Sequence, residues 1–541
     1  MKIRHLLYVA LVVGTSAVLA PIYGPGLSAY AAAPAPAAAT DDLDKDLKSV
    51  AAAFALVEKN FADPVTSEKA FYQGAIPGML HTLDPHSNFV DPDDYREMQR
   101  RQRAQYAGVG MEIISDSDGH TNVMRPFVGS PAYNAGFRRG DIIEAVDGKD
   151  VSKMDSSGVA NLLRGPRGTQ VRVTMKRDGA PDFISAEVTR GSIETSVVDA
   201  FWVTPEVIYL RVDNFEASNL SHDVEADLKK LGETKAKGLI LDLRYNPGGL
   251  VNEAVALAGR WLKDGQVVVS HHGLHEEEQV FRARSVATGQ KYPMVVLVNS
   301  QSASASEIVS GALQDHDRAW LIGDTTFGKG LVQAQFPLSE GAALLLTIAH
   351  YYTPSGRLIQ RDYSHESYYD YLYTSGKEAK ATQDVKSTDS GRKVFGGGGI
   401  TPDEKYANPT FSPFQRRMGV SLVTGVYPGP IYRFANSYFG AKKPSLPEGW
   451  EVGSDVLEQF RAFLKTQQKQ TFTDAEFDAS KDFLKHWIRW EFYYRAFDKE
   501  TADHANWKED PEIQKGIQSI PKAQGLLQQV QRVMAERGAK G

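Results

Sequence analysis

Between about Ser192 and Thr410, apolar runs alternate with helix-patterned stretches, and this alternation constrains the fold more than any other feature of the chain. Gly238 to Leu243, Met294 to Val298 and Ala319 to Ile322 are nearly continuous apolar runs, as strands covered on both faces must be. Val251 to Leu262 and Ser306 to Asp315 carry helical spacing instead. Strands alternating with helices make βαβ units, so an α/β core with a largely covered sheet is predicted over 191–410.

The chain has 541 residues, which leaves room for roughly three or four units. Lys2, Arg4 and His5 precede an apolar stretch from Leu6 to Ala20, and Ala29-Tyr30-Ala31 offers a small-x-small cleavage site. A signal peptide over 1–31, export and a periplasmic or envelope location are therefore expected. The stretch is short for a membrane anchor, which needs about 20 apolar residues. An Ala/Pro linker over 32–41 follows, and then a helical N-terminal unit over 42–104, with helices at Asp42 to Asn60 and Phe71 to Leu83. From 105 to 190 short apolar runs separated by Gly, Pro and Asp indicate a small β-rich module. Residues 362–399 are polar, Tyr-rich and then Gly-rich, and read as a mobile insertion within the core. A helical C-terminal region over 411–541 carries an aromatic stripe best read as core or as an oligomer contact.

Composition excludes some chemistry. The formal net charge of -6 gives no footprint for nucleic acid, and the absence of cysteine removes disulfides, thiol catalysis and thiolate metal sites.

Four segments could carry function. Gly108-Val109-Gly110-Met111 is a glycine pair running into an apolar strand, where converging N–H groups can hold a carboxylate and the strand edge can pair with a peptide. Gly140-Asp141-Ile142-Ile143 followed by Val146-Asp147-Gly148 completes a pattern that resembles a PDZ domain. Ser302-Ala303-Ser304-Ala305-Ser306-Glu307 follows a buried strand and opens a helix. Small residues there allow a serine on a tight turn with the next N–H aimed at an oxyanion, although any of the three serines can equally be a helix cap. Gly323-Asp324-Thr325-Thr326-Phe327-Gly328-Lys329-Gly330 approximates a phosphate loop but has Gly330 where a hydroxyl must bind magnesium. A lysine in an apolar turn is better explained as a base with a depressed pKa. Asp242 to Gly249 ends in a diglycine turn whose Gly249 N–H, with the Ala305 N–H, would make a two-donor oxyanion hole.

Taken in order with Leu83-Asp84-Pro85-His86-Ser87 and Gly399-Ile400-Thr401-Pro402-Asp403, these segments resemble the C-terminal processing, or tail-specific, peptidases of family S41 over about Ala52 to Asp403. The resemblance implies a serine endopeptidase with a Ser/Lys dyad: Ser304 as nucleophile, Lys329 as base, Gln333 orienting the lysine amine. It further implies that substrates enter by their C-termini under PDZ control, with no metal or organic cofactor. Protein substrates with accessible C-termini, an adaptor protein and a second copy of the chain are the partners to expect. Arg164, in Arg164-Gly165-Pro166-Arg167-Gly168, can pair with a carboxylate, hinge the module, or simply be solvated. His316 reads as a surface residue. The alternative is a PDZ scaffold or chaperone-like binder with a silent peptidase core.

Overall fold

The computed structural model describes residues 37–102, 105–116, 118–194, 196–284, 292–338, 341–364, 371, 384–406, 410–418, 429–440, 444–447 and 449–538. The expected signal peptide lies outside them. Among the described residues no helix is long and apolar enough to cross a membrane.

Helix α1 (Ala37–Asn60) begins inside the stretch expected to be linker. It leaves Leu43, Leu47, Val50 and Val57 between 46% and 57% exposed, at helical spacing along one stripe. Shorter helical segments follow, and then β1 (Asn88–Val90), which pairs antiparallel with Ala343–Leu345 of the core. The N-terminal unit therefore supplies a strand to the α/β core rather than standing apart from it.

The β-rich module is a five-strand antiparallel path: β2 (Met111–Ser115), β3 (Thr121–Pro126), β4 (Ile142–Val146), β5 (Gln170–Lys176) and β6 (Ile184–Thr189). Helix α2 (Ser156–Leu163) closes it over a core that includes Val123, Ile143, Val159, Val171 and Val173. Among the described residues β2 has a sheet neighbour on one side only, and it packs near α2, with the Ser115 Oγ accepting the Ser156 N–H at 2.9 Å. Gln105–Gly108 and Gly191–Glu194 pair as the two-stranded stalk by which the chain enters and leaves the module.

The core sheet runs β7 (Val198–Thr204), β8 (Val207–Val212), β9 (Gly238–Asp242), β10 (Met294–Val298), β11 (Ala319–Gly323) and then Glu404–Lys405. The β7–β8 pair is antiparallel and the others are parallel. Every residue of β9 and β10 is buried, as their unbroken apolar runs require. Helices α3 (Val251–Gly259) and α4 (Ala305–Asp315) cover one face. A second sheet contains β12 (Leu331–Pro337) and β13 (Ala343–Tyr352), with β1 and Val267–His272 also on β13.

The C-terminal region has its own aromatic core, including Phe414, Phe434, Phe460, Phe477 and Phe492, with helix α5 (Lys481–Ala496) at its centre. The last helix, α6 (Pro511–Gly538), leaves that core and covers the other face of the main sheet, setting Ile513, Ile517 and Ile520 against Ile240, Val295 and Leu297. The face of the main sheet opposite α3 and α4 is thus covered by a helix from beyond position 410, within the region expected to be helical.

Of the insertion expected over 362–399, residues 362–364, 371 and 384–399 are described and the others lie outside the described residues. From Asp384 onward it forms a hairpin (Val385–Ser387 with Lys393–Phe395), and Arg392 pairs with Asp317 and Asp403. His316, expected on the surface, lies largely buried beneath that hairpin, with Nδ1 2.8 Å from Asp389 Oδ2 and Nε2 2.7 Å from the Val267 carbonyl. Burial works against its charge, but these acceptors prevail and hold its pKa above the ordinary histidine value.

Candidate active site

The parallel strands deliver three loops to one end of the sheet, as open α/β sheets do at the carboxyl ends of their strands. After β10 the chain turns sharply into α4 at Ser304, which has φ 55° and ψ -111°, outside the regions a side-chain-bearing residue normally occupies. Such strain persists only where the surroundings over-determine it. Here the neighbouring serines do much of the fixing: Ser302 Oγ donates to the Leu243 carbonyl at 2.7 Å and Ser306 Oγ to the Asn246 carbonyl at 2.9 Å. Ser304 Oγ, fully buried, has no hydrogen-bond partner among the described residues. The three hydroxyls that looked alike in sequence are therefore two structural ties and one unengaged group.

The diglycine turn abuts that group. A methyl built at Gly248 would fall 2.8 Å from Ser304 Cβ and 2.9 Å from the Ala305 nitrogen, and one at Gly249 would fall 2.2 Å from the Phe215 carbonyl carbon. Only glycine fits either place, and both have positive φ. Asn246 Oδ1 accepts the Gly248 N–H at 2.9 Å. The N–H groups of Gly249 and Ala305 donate to nothing among the described residues. At the strand end itself Asp242 is held by Arg244 and by Tyr209 Oη at 2.7 Å, and Arg244 reaches on to Asp510 and Glu512 ahead of and within α6.

The lysine loop joins the serine turn through the Phe327 N–H, which donates to the Ser302 carbonyl at 2.9 Å, and through a side chain to which no role was assigned from sequence. Glu307, on the first turn of α4, is fully buried. Its Oε2 accepts the backbone N–H of both Ser304 and Lys329, each at 2.8 Å; its Oε1 accepts Thr326 Oγ1 at 2.6 Å and the Gly328 N–H at 2.7 Å. The backbone nitrogens of Ser304 and Lys329 consequently lie within twice that 2.8 Å of one another. Burial pushes the Lys329 amine down to about 8, against the opposing pull of the Asp84 and Glu307 carboxylates. Gln333, on β12 just past a bulge, is fully buried and donates from Nε2 to the His86 carbonyl at 2.6 Å, while its Oε1 has no partner. His86 sits between Phe327 and Tyr371, with Nε2 2.9 Å from the Tyr371 hydroxyl; burial first, then the charges of Lys329 and Arg361, hold its imidazole neutral. Ser304 and Lys329 share no side-chain hydrogen bond in this conformation, and Ser304 has no exposed surface.

In the β-module, Val109 and Met111 are buried and the carbonyls of Val109 and Gly110 are consumed by Ala132 N–H, Phe127 N–H and Ser130 Oγ. Gly110 has φ 79°, and Ser130 Cβ lies 2.4 Å from where its own Cβ would be, so no larger residue fits. Gly108 ends the stalk strand. Arg164 caps α2 from a partly exposed position and donates to Asn161 Oδ1 at 3.2 Å. The deeper anchor is Arg190, which nothing in its sequence context singled out. Its guanidinium donates to the carbonyls of Leu162, Leu163 and Gln170 and to Thr169 Oγ1, tying the end of α2 to the stalk.

An α/β sheet that presents a strained serine at a strand-to-helix turn, with a peptide-module fold carried on a stalk, defines a serine hydrolase with an attached recognition domain. Comparison with known families sharpens this. Residues 206–366 match peptidase family S41, residues 124–177 a PDZ domain, and residues 28–94 the N-terminal domain of the activating protease CtpB. The carboxy-terminal-processing protease of Bartonella bacilliformis is 37% identical over 300 residues, covering 55% of this chain and 68% of that protein. For the corresponding protease of Synechocystis the identity is 38%, with 55% and 70% covered. For carboxy-terminal processing protease CtpB of Bacillus subtilis it is 30%, with 61% and 69% covered. The chain belongs to the carboxy-terminal-processing proteases, PDZ-bearing serine peptidases of family S41.

Proposed function

We propose that the chain is an envelope endopeptidase that cuts protein substrates near their C-termini with a Ser304/Lys329 dyad, the substrate tail being captured by the PDZ module. The observation that carries this reading is the shared Glu307 carboxylate, which fixes a strained serine and a lysine with a depressed pKa in one buried site. Neutral Lys329 takes the Ser304 proton, and the alkoxide attacks the peptide carbonyl. The unclaimed N–H groups of Gly249 and Ala305 receive the oxyanion. The protonated lysine then returns its proton to the leaving amine, and a water attacks the acyl-enzyme with Lys329 again as base. Gln333 Oε1, buried without a partner, is the acceptor available to orient the lysine amine.

Tail capture is supported by the open edge of β2 beside α2, which suits β-augmentation, and by the glycine turn Gly108-Val109-Gly110-Met111 at its start. The exposed stripe on α1 supports self-association through the N-terminal unit, with an adaptor as the other candidate occupant. Sedimentation of the chain lacking α1 tests the stripe.

The reading as a whole is tested by mass spectrometry of the fragments released from an unstructured substrate. The expected result is cleavage near the substrate's C-terminus by wild type, none by Ser304→Ala, and slowed cleavage when the tail is amidated. Undiminished cleavage of the amidated substrate would remove tail capture. No cleavage by wild type, with equal binding by wild type and Ser304→Ala, would favour the silent scaffold.

A further inference from the structure

Asp84, Pro85, His86 and Ser87 belong to the N-terminal unit in sequence, yet they form a wall of the catalytic site. Asp84 Oδ1 accepts the N–H groups of His86 and Ser87 at 2.7 and 2.8 Å, and its Oδ2 accepts Ser87 Oγ at 2.5 Å. Ser87 Oγ in turn accepts the Thr347 N–H of β13 at 3.1 Å, one residue before the β1–β13 pairing begins. The turn is thereby locked to the strand that pairs with β12, on which Gln333 stands. From this locked turn the His86 carbonyl takes the Gln333 Nε2–H at 2.6 Å. An amide has one donor end and one acceptor end, so fixing Nε2 on a carbonyl decides which end is left over: Oε1, buried and otherwise unpartnered.

We propose that the Asp84–Ser87 turn is a positioning element of the catalytic site, which sets the orientation of the Gln333 amide through the His86 carbonyl and brings the Asp84 carboxylate within electrostatic reach of Lys329. The inference rests on the dyad reading above. It makes the site incomplete without the N-terminal unit, and Asp84 a positioning residue acting through others. Two carboxylates act on Lys329, Asp84 from this turn and Glu307 from α4, and the lysine in turn acts on the His86 imidazole, which also faces Arg361 and Tyr371. Of these Glu307 is already occupied by four donors, so Asp84 is the carboxylate whose removal changes the field on the lysine with least rearrangement. Asparagine at 84 keeps the Oδ1 acceptor for the two backbone N–H groups and removes the charge.

The test is the pH dependence of kcat and KM for full-length wild type, Asp84→Asn and Ser87→Ala on one peptide substrate, with Ser304→Ala and Lys329→Ala alongside and thermal melts for all. For Asp84→Asn the acid limb of kcat moves down by about one pH unit, the low end of what one nearby opposite charge supplies. Its plateau kcat falls roughly tenfold, within the range of general-base effects, with KM little changed. Ser87→Ala loses the tie to Thr347 but keeps the charge, so kcat falls and the midpoint stays. An unmoved midpoint and near wild-type kcat in a folded Asp84→Asn would overturn the inference. If that variant does not fold, wild-type kcat in Ser87→Ala would overturn it instead. Turnover by Ser304→Ala or Lys329→Ala would be a failure of the dyad reading itself, seen separately.

Discussion

The backbone N–H groups of Ser304 and Lys329 end on the same atom, Glu307 Oε2, each at 2.8 Å. One buried carboxylate on the first turn of α4 thus ties a strand-to-helix turn to a loop that follows a different strand. With Thr326 Oγ1 and the Gly328 N–H on its other oxygen, it satisfies four donors that no water reaches.

Glu307→Gln replaces one acceptor oxygen with a donor, so at least one of those four donors loses its partner and meets another N–H. A buried unmet donor costs about 1–3 kcal/mol. A fall of several degrees in Tm, with kcat down by more than tenfold, is expected from calorimetry and steady-state kinetics. Wild-type Tm and kcat would show that the carboxylate does not hold the site.

Lys329 makes opposite demands on activity and stability. With its pKa near 8 in the fold against 10.5 for an ordinary lysine, the unfolded chain binds more protons between those values. Stability attributable to this group therefore rises as pH climbs from about 8 to 10.5 and is lowest at and below neutral pH. The difference corresponds to roughly 3 kcal/mol at neutral pH. Lys329→Met is expected to be inactive yet to melt higher than wild type at pH 7, the gain shrinking toward pH 10. If the neutral amine is the base, kcat is expected to rise with pH through a midpoint near 8, and a flat profile across that range would contradict it.

The PDZ module is fastened to the C-terminal helices by Arg139, whose guanidinium meets Glu491 at 2.7 and 2.9 Å and lies over the rings of Tyr432 and Tyr494. Arg495 shares the same carboxylate at 3.0 Å. Glu491→Ala leaves two buried guanidinium groups facing one another, and breaking a buried pair costs about 3–5 kcal/mol. A lower Tm and faster proteolysis at the stalk strands Gln105–Gly108 and Gly191–Glu194 are expected; unchanged melting would mean the clamp is not a constraint.

Arg190 and Arg164 separate two ideas about the module. Arg190→Ala strips the end of α2 of the side chain that satisfies three carbonyls, so tail-peptide affinity by calorimetry should fall at least tenfold. Arg164→Ala should change it less, because its Asn161 bond lies at the surface. The reverse order would favour Arg164 as the sensing residue.

What was legible in the sequence followed from local rules. The runs of β9, β10 and β11 read as buried strands because both faces are covered, and α4 showed its period. What was not legible depended on contacts between distant segments. Ser302, Ser304 and Ser306 are set apart by whether the Leu243 and Asn246 carbonyls reach them and by the strained backbone of Ser304. Their distinction in sequence came from family resemblance, whereas in the fold it comes from hydrogen bonding and backbone strain. Glu307 looked like an ordinary residue of a helical first turn. The role of the Asp84–Ser87 turn depends on a main-chain carbonyl, which no residue pattern reveals. His316 is buried between Asp389 and the Val267 carbonyl, both distant in sequence, and α6 is amphipathic like any surface helix until Ile240 and Val295 are seen beneath it.

The most direct measurement is the site of acylation. Wild-type enzyme mixed with a slowly deacylating peptide ester, quenched in acid within seconds and mapped by tandem mass spectrometry, is expected to carry the acyl group on Ser304, and Ser304→Ala to carry none. Acyl transfer to Ser302 or Ser306, or an adduct that survives Ser304→Ala, would contradict the assignment.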